Sequence, residues 1–170
     1  MRDIASHPYF QSLAELHLSP DDFAIAGSGP LFAHGLIDDL GDLDIVCRNE
    51  AWTTVCKLGD VIDAPLFNIK RVLLFDETLE FLNGWFPEIW TTDEIIDGAD
   101  LIQGIRFVPL AVVFRTKSIL KRPRDLLHLE ILKNSSAGTP ALRRKSPTRD
   151  PLHRNTKDPG ARLRGPSAKP

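Results

Sequence analysis

The sequence predicts a mixed α/β domain followed by a basic tail, on three observations. Short apolar runs of strand length alternate with stretches of helical periodicity from Asp22 to Asn134. Gly-, Pro- and Asp-containing joints separate them. After Asn134 the composition turns basic and proline-rich, with almost no large apolar residues. This divides the 170 residues into a domain over 1–134 and a tail over 135–170.

The elements follow in order. "DFAIAG" (22–27) is a short apolar strand, broken by Gly27-Ser28-Gly29-Pro30. Pro30 suits the first turn of a helix, and "LFAHGLIDDL" (31–40) carries apolar residues at helical spacing. After a turn at Gly41, "DLDIVCR" alternates Leu43, Ile45 and Cys47 against Asp42, Asp44 and Val46, a strand pattern. "NEAWTTVCKL" (49–58) reads as a second helix with Asn49 as its N-cap.

"VIDAPLFNI", "RVLLFD" and "TLEFLNGW" are three further strands, the last two joined by a tight turn at Asp76-Glu77-Thr78. "TTDEIIDGA" begins like a capped helix, and "DLIQGIRFV" has a hairpin pattern about Gly104. "LAVVFRTKSIL" and "RDLLHLEILKN" predict two helices meeting at Arg122-Pro123. The chain has no internal repeat.

Charge and composition narrow the function classes. Residues 1–134 carry 12 Lys and Arg against 21 Asp and Glu, a balance of −9, whereas the tail carries nine against two, +7. An acidic body argues against a broad nucleic-acid face on the folded part. The tail holds six of the thirteen prolines and reads as disordered, of a composition suited to an acidic or nucleic-acid partner. "MRDIASHPYF" lacks a signal-peptide apolar run, and no stretch nears the roughly 18 apolar residues of a membrane span. Cys47 and Cys56 stand without Cys or His partners at metal spacing, and read as reduced thiols. The expectation is a cytoplasmic protein with no membrane partner.

The chemistry-bearing residues begin with Asp42 and Asp44. In a strand, residues i and i+2 face one side, about 6.5–7 Å apart. Two carboxylates so placed beside a core are costly unless compensated, and a divalent cation with oxygen ligands compensates them. The Gly27-Ser28-Gly29 turn before a helix suits close approach of a phosphate. A phosphate-suited turn, a helix and an Asp-x-Asp strand together form a layout for a nucleoside triphosphate with metal between phosphate and carboxylate. Glu80, between Leu79 and Phe81, joins the set if its strand adjoins the aspartate strand.

Other residues carry weaker signals. His34 reads as a surface or packed histidine. Trp85 and Trp90 read as core or lid packing, or as a stacking wall. Lys117, Lys121, Arg122 and Arg124 form a basic cluster that suits a triphosphate or a solvated helix face. Asp125 is expected to cap the last helix or pair with a neighbouring base.

Gly27-Ser28, Asp42-Leu43-Asp44 and Leu79-Glu80-Phe81 in this order resemble the signature of the polymerase-beta-like nucleotidyltransferase superfamily. Thirteen residues separate Ser28 from Asp42, and "ILKRPRDLLHLEIL" resembles a helix segment near the end of many small members. The resemblance covers roughly residues 22–134. It implies a minimal nucleotidyltransferase fold, a mixed sheet flanked by helices. Gly27 and Ser28 would hold the triphosphate, and Asp42 and Asp44 would bind two divalent ions, magnesium or manganese. Glu80 would deprotonate the attacking group or complete the second metal site. The implied reaction moves a nucleoside monophosphate from a triphosphate to an acceptor and releases pyrophosphate. The alternative is an interaction protein of the same fold without catalysis, such as a toxin–antitoxin component.

Overall fold

The computed structural model describes residues 2–137, which form six helices and a seven-stranded mixed sheet. The strands are β1 (Phe23–Ile25), β2 (Leu43–Cys47), β3 (Ile62–Asp63), β4 (Lys70–Leu74), β5 (Leu79–Leu82), β6 (Asp100–Ile102) and β7 (Ile105–Phe107). The helices are α1 (Pro8–Glu15), α2 (Gly29–Ala33), α3 (Asn49–Val55), α4 (Thr92–Asp97), α5 (Leu110–Leu120) and α6 (Pro123–Ala137). The sheet order is β3-β4-β5-β2-β1-β7-β6. β2 runs parallel to β5 and β1 parallel to β7, and the remaining neighbours are antiparallel.

Both faces of the central strands are covered. Leu43, Ile45 and Cys47 pack in one apolar cluster with Phe10 and Leu13 of α1 and Ala51 and Val55 of α3. Val46 joins a second cluster with Ile95 and Ile96 of α4, Val113 of α5 and Leu132 of α6. Because side chains alternate along a strand, Asp42 and Asp44 lie on the same face as Val46, the face covered by α4–α6. Leu43, Ile45, Leu79 and Phe81 are fully buried, each contributing about 1.5–3 kcal/mol. A one-residue slip of β2 or β5 would drive an acid into that core, so burial fixes the register that aims the acids.

Several joints match the expected turn chemistry. Phe75, Asp76 and Glu77 all have positive φ in the β4–β5 hairpin, and Gln103-Gly104 do so between β6 and β7. Thr91 accepts from Glu94 N while the Glu94 side chain accepts from Thr91 N, a full capping box on α4.

Four expectations are corrected. The helix expected over 31–40 is only Gly29–Ala33, because the chain turns out at His34 and Gly35 takes φ +70°. Asn49 does not cap α3; it has φ +47°, donates to Asp22 Oδ1 at 3.0 Å, and Arg48 holds the N-cap position. The strand expected over 61–69 shrinks to Ile62–Asp63, since Pro65 and the positive φ of Phe67 and Asn68 break the ladder. α6 is Pro123–Ala137, three residues longer at its end than the helix expected over 124–134. α1 had no counterpart in the sequence reading. The tail from residue 138 onward, with its expected disorder and partners, lies outside the described residues. No helix among those described is long and apolar enough to cross a membrane.

Candidate functional site

The parallel pairing of β2 with β5 sets Asp44 directly against Glu80. One carboxylate oxygen from each of Asp42, Asp44 and Glu80 lies within 4.8 Å of the others, all three residues being half-buried. The expected triad is therefore assembled, with Asp42 one residue ahead of β2.

Gly27 lies against the Asp44 carboxylate. It has φ +58°, and a Cβ placed on it would fall 1.7 Å from Asp44 Oδ2. The position thus demands glycine twice over, for its left-handed backbone and for the space the Asp44 carboxylate occupies. Ala26 N donates to Asp44 O at 2.9 Å, holding the turn to the strand. Of the turn's other N–H groups, that of Gly29 is given to Ala26 O, and Pro30 has none. A phosphate cradle here therefore rests on Gly27 and Ser28, not on a long helix N-terminus.

Ser28 belongs to a buried network that the sequence does not reveal. Lys117 Nζ of α5 donates to Ser28 Oγ at 3.3 Å and to Asp125 Oδ1 of α6 at 3.0 Å. Lys117 and Asp125 are 4% and 1% exposed. Asp125 also accepts from Arg122 N and Nε, at 3.1 and 2.8 Å. Burial pushes the Asp125 carboxyl up, but the bonds from Arg122 and Lys117 outweigh it and hold it below its ordinary value. Asp125 thus performs the pairing expected of it. Ser28 Oγ also lies 3.5 Å from His128 Nδ1, a contact whose donor is set by the imidazole tautomer. Burial, with the charges of Lys117 and Arg124, lowers the His128 imidazole to about 4, so it is neutral at pH 7.

Asp44 shows what the site lacks. Burial first, then the charges of Asp42 and Glu80, raise its carboxyl to about 7 against the opposing pull of Lys117 and Arg122. Lys117 and Arg122 do not offset burial and the acidic neighbours at Asp44. Three carboxylates converging on one point suit a hard divalent cation, which takes oxygen ligands. The donor set could therefore hold a metal ion.

Arg71 of β4 is a participant the sequence reading missed. Its Nη1 donates to Glu80 Oε1 at 2.9 Å, with both side chains mostly covered. The signal was the Lys70-Arg71 pair heading the strand that forms a hairpin with that of Glu80, unreadable without the β4–β5 register.

These groups line one cavity of about 530 Å³, within the roughly 300–1,000 Å³ range of ligand sites. Its wall carries Gly27, Ser28, Lys117, Arg122 and Arg124. Leu66, Phe67, Ile69, Leu82, Trp85 and Phe86 add apolar surface to it. Trp85 thus lines the cavity, whereas Trp90 is absent from the wall and lies under Arg115, 5.0 Å from its ring centroid. His34 is exposed at the end of α2 and takes no part. Cys47 is buried and Cys56 half-buried, both free thiols.

No family model, curated protein or solved structure matches the chain.

Proposed function

We propose that the chain is a metal-dependent nucleotidyltransferase of the minimal type. It transfers a nucleoside monophosphate from a triphosphate to an acceptor and releases pyrophosphate. The observation that carries this reading is the convergence of Asp42, Asp44 and Glu80 within 4.8 Å, beside the Gly27–Ser28 turn that Lys117 reaches.

Asp42 and Asp44, with Glu80, would hold magnesium or manganese, which would supply neutralising charge to the triphosphate. Gly27, having no side chain, leaves room for the Asp44 carboxylate against the turn, and the Gly27–Ser28 turn beside it would face the phosphates. Lys117, Arg122 and Arg124 supply positive charge along the same wall, suited to the β- and γ-phosphates and to the departing pyrophosphate. Asp125 orients Lys117 and Arg122 rather than touching substrate. Glu80, on a neighbouring strand, would accept the acceptor's proton.

The alternative, an interaction module of the same fold without turnover, draws on Arg71. Its hydrogen bond engages one of the two Glu80 oxygens that proton transfer would use. Pyrophosphate release separates the two readings. The four triphosphates, each with magnesium or manganese and a panel of hydroxyl and amine acceptors, should give metal-dependent release that Asp42→Asn abolishes. Triphosphate binding without release for any acceptor would favour the module.

A further inference from the structure

The cluster of Asp42, Asp44 and Glu80 carries one cation of its own. Arg71 Nη1 donates to Glu80 Oε1 at 2.9 Å, and among the described residues Glu80 is the only acid that Arg71 pairs with. The neighbouring cations bond elsewhere or lie open to solvent. Lys117 and Arg122 bond to Asp125, and Arg124 is exposed.

The strand register brings the two together. Arg71 lies opposite Leu82, and Glu80 opposite Leu73, in the β4–β5 ladder. They are diagonal neighbours, about 7–8 Å apart at the backbone and within reach of a long side chain. Val72 and Phe81, their neighbours in sequence, point into the apolar cluster on the other face of the sheet. Lys70–Asp63, on the β3–β4 ladder, is an ordinary hairpin pair, with side chains 51% and 75% exposed. Those of Arg71 and Glu80 are 23% and 16% exposed, and Glu80 also faces Asp44 across the β2–β5 pair. Water and salt screen an exposed pair. A charge beside a half-buried cluster is felt by whatever ion the cluster binds.

Resting on the metal site of the proposed function, we infer that Arg71 is a resident counter-ion of the carboxylate cluster. It competes with metal for Glu80, weakens the binding of one divalent ion and excludes a second. Three carboxylates with one guanidinium carry a formal charge of −2, which one divalent ion cancels; two would leave +2 in a half-buried site. Lys117 and Arg122 on the same cavity wall act in the same direction. The bond to Glu80 is single, and Arg71 Nε is buried with no hydrogen-bond partner. Arg71 is thus held without the two-pronged fork that makes Arg–carboxylate pairs strong, which leaves Glu80 open to a competing ion. The sign of the effect separates this role from bracing of the hairpin. Loss of a brace leaves metal binding unchanged or weakens it, whereas loss of a competing cation tightens it.

The probe is manganese alone, titrated into the full chain without nucleotide and followed by loss of the free ion's electron paramagnetic resonance signal. Wild type is compared with two neutral variants, Arg71→Met and Arg71→Gln, and with Arg71→Lys, which keeps the charge. The wild type should take no more than one ion per chain. The neutral variants should bind manganese about tenfold more tightly, and Arg71→Lys should stay within about threefold of the wild type. Manganese should also raise the melting temperature of the neutral variants more than that of the wild type. Two ions per wild-type chain would overturn the inference whether or not the variants fold. Folded neutral variants that bind manganese no more tightly than the wild type would overturn it as well. ATP with manganese is titrated into the wild type separately by calorimetry. Its failure to bind would overturn the proposed function, whereas tighter manganese binding by the neutral variants would still uphold Arg71 as the counter-ion.

Discussion

Asp44→Asn should stabilise the metal-free protein by an amount that grows with pH. The Asp44 carboxyl is raised from 3.8 to about 7 by burial and by its acidic neighbours. Well below 3.8 it is protonated in both folded and unfolded chains, and its titration contributes nothing. As pH rises toward about 7 the unfolded chain gives up that proton while the folded protein keeps it, so wild-type stability falls. Above about 7 the loss is complete. A shift of about three units at about 1.36 kcal/mol each makes the full loss about 4 kcal/mol. Asparagine does not titrate and keeps a similar shape. Urea unfolding of both proteins in EDTA at pH 4, 6 and 8 reads the difference directly. The variant's advantage should be several kcal/mol larger at pH 8 than at pH 4. A pH-independent difference, or a variant that becomes relatively less stable as pH rises, would refute the claim that its surroundings disfavour the charged form of Asp44.

Three further outcomes follow from the same geometry. Glu80→Gln should bind a triphosphate with near wild-type affinity yet lose about a hundred- to ten-thousandfold in transfer rate; calorimetry beside pyrophosphate release checks the split. Gly27→Ala should lower stability by at least about 1–2 kcal/mol from its left-handed backbone alone. It should also abolish metal-dependent triphosphate binding, because the new methyl displaces Asp44; both are read by urea unfolding and calorimetry. Lys117→Met should cost on the order of 3 kcal/mol in urea unfolding, the low end for breaking a buried ion pair, since Arg122 still reaches Asp125.

What the sequence revealed of the site came from period-2 alternation. Leu43 and Ile45 around Asp44, and Leu79 and Phe81 around Glu80, mark acids held by buried neighbours, and those four residues anchor them as expected. The same reasoning found the β4–β5 and β6–β7 hairpins, where short loops force positive φ. It misjudged elements that end on backbone strain, as α2 does at Gly35, or that pair through two residues, as β3 does. It missed α1, which is held by Phe10 and Leu13 packing against distant strands. The Ser28–Lys117–Asp125–His128 network was not legible either. Ser28 is 89 residues from Lys117 and 100 from His128, and no local pattern encodes a contact between α5, α6 and the β1 turn. Arg71 shows the same limit: only strand register reveals that it reaches Glu80.

The central claim is that Asp42, Asp44 and Glu80 form a metal-dependent triphosphate site. Calorimetric titration of ATP, GTP, CTP and UTP with magnesium into wild type and into Asp42→Asn tests it most directly. At least one triphosphate should bind the wild type saturably, only when the metal is present, and none should bind the variant. A folded wild type that binds none of the four with magnesium or manganese, or a variant that binds as the wild type does, would contradict the claim.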